Sequence, residues 1–362
     1  MEKIWLVQNT EDQNRILEAK QTVWELQNIS TAPLEDKELV VVGDSAKDKA
    51  LDLVSRGIDP TRLSYIDIDE KGQWLASIGK PKHLFWDDVI PLNELDITAD
   101  RFETYPSGIG FLDKDLGWGW RLPELVILAG PYGCGKSTFG QFLAAHFVEL
   151  MGSDLGGAML CSWEDLAVEV HQNFTNFSKS RDCPDIMRQV HFVRRTASED
   201  RLVSWYMDLV RYHRKRYGTR FFFLDPWNEM DHQKDARQSE TEYIRDIMKE
   251  LRRLVDEEKI ILILATHVPA KFIRGNGEIE PFKIGHSFGS SQFGNKADRG
   301  ICLVRTKRYD QTNGHAVIRL DKAKVERRMG HRGTIGARFN WDRFEYEKDA
   351  YVTSEVKDIW KD

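Results

Sequence analysis

The sequence predicts an α/β protein in which a mostly parallel sheet carries antiparallel strands at its C-terminal end and is preceded by a smaller α/β domain. Three observations predict it. Short apolar runs alternate with segments at helical spacing, which places helices on both faces of a parallel sheet. One such run leads directly into a glycine-rich turn and then a helix. Charge also divides the chain unevenly: residues 1–100 hold 20 Asp or Glu against 11 Lys or Arg, and the remainder holds 38 against 41.

The 362 residues are 41% hydrophobic and 11% aromatic, enough for more than one core. A net charge of -6 excludes a globally basic nucleic-acid binder and leaves local basic patches open. Cys134, Cys161, Cys183 and Cys302 form no CxxC pair, which argues against a zinc ribbon or disulfide framework and for a reducing compartment. The start, MEKIWLVQNTEDQN, carries charge where a signal peptide needs an apolar run. No apolar stretch approaches the roughly 20 residues that span a bilayer, so a cytoplasmic protein without a membrane partner is expected.

Residues 1–95 read as a small α/β domain. IWLVQN, ELVVVG, LSYIDID and HLFWDD are its strand candidates, and EDQNRILEAKQTVWELQ has the spacing of an amphipathic helix. Residues 96–107, polar and ending near Pro106, read as a linker. Residues 108–350 form the larger domain, and 351–362 a tail. In the larger domain LVILA, GGAMLCS, FVRR, RFFFLD and KIILILATH are strand candidates, separated by helices expected at 137–151, 163–177, 199–217 and 239–257. The last opens on Ser239 with Glu242 three residues on, the spacing of a capping box. From residue 300 onward helices stop, and ICLVRTKR, HAVIRLDKAKV, TIGARFNW and RFEYEK read as antiparallel strands.

Gly130-Pro131-Tyr132-Gly133-Cys134-Gly135-Lys136-Ser137 fits GxxxxGK[ST], directly after an apolar strand and before a helix. Glycines let main-chain N–H groups of the loop, Gly130, Gly133, Cys134 and Gly135 through Thr138, wrap phosphate, and the helix N-terminus adds its dipole. Lys136 then reaches the terminal phosphates and the Ser137 hydroxyl ligates magnesium. ATP and Mg2+ are the expected ligands. A second magnesium-directed carboxylate is needed at the end of another buried strand, and Asp225, closing RFFFLD, supplies it; a strand-terminal Asp opening the Pro226 turn is the plainer alternative. Glu164, just past GGAMLCS, falls at the carboxyl edge where ligands bind such sheets. It is either the group that orients attacking water or, with Asp165, an acid favoured at a helix N-terminus. His267, ending KIILILATH, reports on the terminal phosphate or is an ordinary loop histidine.

Taken together, PSGIGFLDKDLGWGWRLPELVILAGPYGCGKST (106–138), CSWED (161–165), FFFLDPWNEMD (221–231), ATHVPAK (265–271) and FGSSQFGNKADRGICLVR (288–305) resemble a known set. It is that of the RecA-like core of hexameric replicative helicases, the DnaB-like family that takes in the mitochondrial Twinkle helicases and the helicase half of phage primase-helicases. The resemblance spans roughly residues 101–347. It implies a RecA-like P-loop NTPase that hydrolyses ATP, translocates on single-stranded DNA, 5′ to 3′, in DNA replication, and forms a hexamer with ATP at each subunit boundary, in a bacterial or phage-infected cell. Lys136 and Ser137 would hold phosphate and magnesium, Asp225 the magnesium through water, Glu164 would be the catalytic base and His267 the γ-phosphate sensor. The family's late KxR pattern, which supplies the neighbour's basic residues, reads Lys322-Ala323-Lys324 here, so the finger falls to Lys324 with Lys322 or to Arg327 or Arg328. Arg305 and Phe339 match the positions that clamp the nucleotide base.

DNA contact in such proteins comes from channel-facing loops. The loop after His267 offers Lys271, Arg274 and Lys283, with Gly275, Asn276 and Gly277 for flexibility, and a second loop, His232 to Gln238, offers Lys234 and Arg237. Residues 299–332 hold ten Lys or Arg against three acids, which suits a solvated sheet face, contact with ATP across an interface, or nucleic acid. In the first domain, Asp67-Ile68-Asp69 and Val41-Val42-Gly43 stand where a toprim module has its DxD and its glutamate turn. A degenerate, non-catalytic toprim-like module is expected, one that collars the ring or recruits replication proteins. Two other readings stay open: a recombinase-like or clock-like ATPase that assembles without unwinding, and a nucleotide-gated DNA-binding module that does not hydrolyse.

Overall fold

The computed structural model describes residues 3–7, 22–25, 38–43, 45–56, 58–59, 62–67, 82–83, 103–193, 202–230, 237–273, 280–287, 291–305, 314–350 and 352–353. The chain divides into two units, Met1–Arg101 and Phe102–Asp362.

The first unit is a five-stranded sheet in the order β2-β1-β3-β4-β5, built from β1 (Lys3–Val7), β2 (Thr22–Glu25), β3 (Glu38–Gly43), β4 (Leu63–Asp67) and β5 (Lys82–His83). All pairings are parallel except that of β5 with β4. Between β3 and β4 runs α1 (Ala46–Ser55), whose Ala46, Ala50 and Leu53 make one apolar stripe against Leu39, Val41, Leu63 and Tyr65. Val40 and Val42 are buried as well, as expected of a parallel strand covered on both faces. One expectation is corrected: TVWE, read as the end of a helix, is the strand β2. Its β-branched and aromatic residues suit a pleated surface, and β1 supplies the ladder that local spacing does not reveal.

The second unit begins with β6 (Glu103–Pro106), inside the stretch read as linker, paired antiparallel with β7 (Gly119–Leu122) across α2 (Gly110–Leu116). There follow β8 (Glu124–Gly130), α3 (Lys136–Leu155), β9 (Ala158–Ser162), α4 (Ala167–Arg181), the single turn α5 (Ile186–Gln189), β10 (Val190–Phe192), α6 (Val203–Tyr217) and β11 (Phe221–Asp225). The chain continues through α7 (Glu240–Glu258), β12 (Ile261–His267), α8 (Gln292–Lys296), β13 (Arg299–Arg305), β14 (His315–Ala323), α9 (Glu326–Met329), β15 (Gly333–Asn340) and β16 (Glu345–Lys348). Nine strands form one sheet, β10-β9-β11-β12-β8-β13-β14-β15-β16. The strands from β10 to β13 are parallel and the last three antiparallel. ICLVRTKR therefore differs from expectation: β13 lies parallel to β8, and the antiparallel extension starts only at β14. The one-turn α9 interrupts the strands that were expected to run without helices.

Each face of this sheet carries its own core. On β8, Val126 and Leu128 belong to the cluster under α3, while Leu125 and Ile127 belong to the cluster under α6 and α7. The α3 face is aromatic, with Phe139, Phe142 and Phe147 stacked near Trp120 and Phe221. Gly140 is where α3 crosses β11: any side chain there would meet the Phe223 ring. The capping box of α7 is present, Ser239 accepting from the Glu242 N–H and Glu242 from that of Ser239. At the edge where β8 begins, Glu124 and Arg299 form a fully buried ion pair at 2.7 Å, the guanidinium lying over the Trp118 ring at 4.5 Å. Burial pushes the Glu124 carboxyl up, and the Arg299 charge opposes it. No helix among the described residues is long and apolar enough to cross a membrane.

Candidate functional site

The site lies at the carboxyl edge of β8, β9, β11, β12 and β13, the edge at which parallel sheets bind ligands. After β8 the chain turns through Gly130–Gly135 into α3. Gly135 holds φ at +90° to enter the helix, a conformation that L side chains rarely adopt. Cys134 turns inward, 2% exposed, and burial raises its thiol pKa, so it serves the loop through its main chain. A cavity of about 240 Å³ opens in front of the loop. Tyr132, Gly133, Gly135, Lys136, Ser137 and Thr138 line one wall, Glu164 and Asp165 a second, Arg305 and Trp341 a third.

Lys136 is 5% exposed and its ammonium is folded against the loop, donating to the carbonyls of Gly130 (3.2 Å) and Pro131 (3.0 Å) and to His267 Nδ1 (3.1 Å). Because an ammonium only donates, Nδ1 accepts and the ring proton sits on Nε2. That nitrogen faces Glu164 Oε1 at 3.6 Å. The His267 ring beside it holds the Glu164 carboxyl below the usual range, against an opposing effect of burial. Cation, imidazole and carboxylate thus form one chain, whose two ends, Lys136 and Glu164, line the cavity.

Asp225 closes β11 at 1% exposure, and neither of its carboxylate oxygens has a hydrogen-bond partner among the described residues. Burial pushes its pKa up to about 7, the nearby Ser137 hydroxyl pulling down and Asp165 pushing further up. A buried carboxylate without partners beside a serine hydroxyl at a helix N-terminus is an oxygen donor set of the kind that Mg2+ takes together with phosphate. Ser137 and Asp225 fit that ion. Glu164 itself stands in a loop, because helix α4 begins at Ala167, four residues later than its apolar spacing suggested. The Trp163 N–H bonds to the Asp225 carbonyl at 2.9 Å, which extends the β9–β11 ladder past the strand ends.

On the third wall the expectation for Phe339 is corrected. Strand alternation turns it inward, 6% exposed, against Phe344 and Tyr346. Trp341 faces the cavity instead, 45% exposed, with the Arg305 guanidinium 6.0 Å from its ring centre. It sits in the turn after β15, where Asn340 Oδ1 accepts from the N–H groups of Asp342 and Arg343. Nothing in the sequence marks it, because the turn after β15 is what exposes it.

Lys322 and Lys324 do not line this cavity. β14 runs antiparallel to β13, which carries both to the opposite edge of the sheet. Lys322 donates to the carbonyls of Gly294 (2.7 Å) and Asn295 (3.2 Å), and Lys324 lies 3.6 Å from buried Asp298. Arg327 and Arg328 follow in α9. Of the DNA-facing candidates, Lys271 and Lys283 are exposed on two arms of the loop after β12, drawn together by the Phe272–Phe282 contact and by Glu280 N–H donating to the Phe272 carbonyl at 2.8 Å. Arg237 is exposed ahead of α7. Lys234, Arg274, Gly275 and Asn276 lie outside the described residues, as does Asp69; of Asp67 only the main chain is described.

No family model matches the chain. A Twinkle homolog protein of chloroplasts and mitochondria from Arabidopsis thaliana is 28% identical over 134 residues, 37% of this chain, and the match spans 18% of that relative's length. Among solved structures, an ATPase domain aligns with a TM-score of 0.52 at 18% identity, over 67% of this chain and 89% of that one. A DnaB-like replicative helicase, solved in a study of its interactions with primase, aligns with a TM-score of 0.55 at 17% identity, over 83% of this chain and 75% of that one. The fold is therefore the RecA-like ATPase fold of DnaB-like helicases, and the chain resembles that family in sequence as its motifs do.

Proposed function

We propose that the chain is an ATP-hydrolysing motor of the replicative-helicase kind, which assembles with copies of itself and translocates on single-stranded DNA, 5′ to 3′. One observation carries the reading: Lys136, His267 and Glu164 meet in front of a phosphate loop that also presents Ser137 toward the partnerless Asp225. Magnesium, when bound with the nucleotide, would draw charge from the phosphates. The residues of the chain do the rest. Lys136 exchanges its two loop carbonyls for phosphate oxygens, Glu164 orients the attacking water and accepts its proton, and His267 senses the terminal phosphate from between them. Arg305 and Trp341 grip the base. Lys322 and Lys324, at the far edge, serve the nucleotide of a neighbouring copy, and Lys271 and Lys283 touch the DNA backbone. The first unit is a non-catalytic module that recruits replication partners.

Strand displacement on a forked DNA, with ATP turnover followed in parallel, tests this. Wild type should unwind and hydrolyse, Lys136→Ala should do neither, and Glu164→Gln should bind ATP while losing on the order of a hundredfold or more in turnover. Hydrolysis without unwinding by the assembled protein would reduce the reading to an ATPase.

A further inference from the structure

Glu164 is one third exposed and touches only His267 among the described contacts, yet a base that aims a water must be held to within about half an ångström. Its neighbours in the chain hold it. Before it, Trp163 is tied by its main chain to Asp225 and by its indole N–H to Met230 Sδ at 3.2 Å. After it, the Asp165 carboxylate accepts from Ser162 Oγ (3.1 Å) and from Gln141 Nε2 (2.8 Å). Gln141 belongs to α3, one helical turn past Ser137 on the same face, and is 3% exposed. Its carbonyl accepts from Asn173 Nδ2 of α4 at 2.9 Å. Farther along α4, Asn176 Nδ2 donates to the Trp341 carbonyl at 3.2 Å and Ser180 Oγ to that of Arg343 at 3.1 Å.

We infer that Gln141 is a positioning residue for Glu164. Its single amide joins the phosphate-loop helix, the loop bearing the base, and the helix that backs the Trp341 turn. Movement of the first turn of α3 on taking up phosphate is passed through Asp165 to the base, and α4 keeps the base in register with the wall that holds the nucleoside. Gln141 touches no substrate; it sets where Glu164 stands. The inference rests on Glu164 being the water-orienting group.

The test uses the full chain, with three measurements on each variant: ATP turnover, affinity for a non-hydrolysable ATP analogue with magnesium, and melting temperature. Gln141→Met keeps length and loses both hydrogen bonds. Its kcat should fall on the order of ten- to a hundredfold, with KM and analogue affinity within about threefold of wild type. Gln141→Glu sets two carboxylates against each other and should fall further; adding Asp165→Asn exchanges donor and acceptor across the same bond and should restore kcat to within about threefold. Unchanged kcat in Gln141→Met, a parallel loss of kcat and affinity, or no recovery in the double variant each overturns the inference while leaving the motor reading intact. Full turnover by Glu164→Gln would instead remove the base assignment and this inference with it.

Discussion

At the scale of single residues, the third wall of the cavity separates two aromatic side chains two positions apart. Trp341→Ala should weaken binding of an ATP analogue by about 1–3 kcal/mol, the usual worth of a base stacked on an aromatic ring, with little change in melting temperature. Phe339→Ala should do the reverse, costing about 3–5 kcal/mol of stability. Equal binding losses in the two variants would return the base contact to Phe339. Lys136, Ser137, Glu164, Asp225 and His267 were legible in the sequence because each stands at a fixed offset from a strand end or a glycine turn. Trp341 was not, because it stands two positions from Phe339 and shares its strand parity, and only the turn that begins after Asn340 breaks the alternation and carries the tryptophan outward. Gln141 gave no signal at all: its partners lie 24 and 32 residues away.

At the scale of elements, two helices carry histidines that the fold keeps neutral. His146 of α3 lies between the Phe142 and Phe177 rings, and burial with Arg181 nearby lowers its pKa to about 3. His213 of α6 is lowered to about 4 by burial, with His191 adding to it. Unfolded, both take a proton near pH 6.5; folded, they refuse it until pH 3 to 4. The unfolded state therefore binds more protons as pH falls below about 6.5, and stability drops from there toward pH 4. Melting temperatures across that interval should fall for wild type and fall less steeply for His146→Phe. A second element-scale test concerns the edge where β8 begins. Arg299→Met strands Glu124 in the core and should cost about 3–5 kcal/mol by denaturant titration, part of it recovered by adding Glu124→Gln. The elements that the sequence misjudged share one cause. The later start of α4, the strand β2 and the parallel direction of β13 are all set by ladders to distant segments, β13 meeting β8 more than 170 residues away, and no local spacing records such a partner.

At the scale of the whole molecule, the described buried apolar residues of the first unit form a cluster of their own, and the described residues that line the cavity at the phosphate loop belong to the second. A fragment of residues 102–362 should keep ATP-analogue affinity within about threefold of the full chain, an expectation that follows from each domain having its own core. Loss of the assembled species or of DNA-stimulated turnover in that fragment would assign those properties to residues 1–101. The role proposed for Lys322 and Lys324 predicts a concentration dependence. If a neighbour completes each site, turnover per chain should rise steeply with protein concentration, and mixing Lys136→Ala with Lys324→Ala chains should restore some of the activity that each lacks alone. A strictly linear rate and no recovery on mixing would confine catalysis to the single chain.

Cys302 and Ala129 stand opposite each other in neighbouring strands, so the segment delivering Arg305 is bonded directly to the one delivering the phosphate loop. Two walls of the cavity thereby rise from adjacent strands of one sheet. On the proposed reading, an isolated protomer should release ADP with a single rate constant. Any rhythm in that release has to be imposed from outside the protomer.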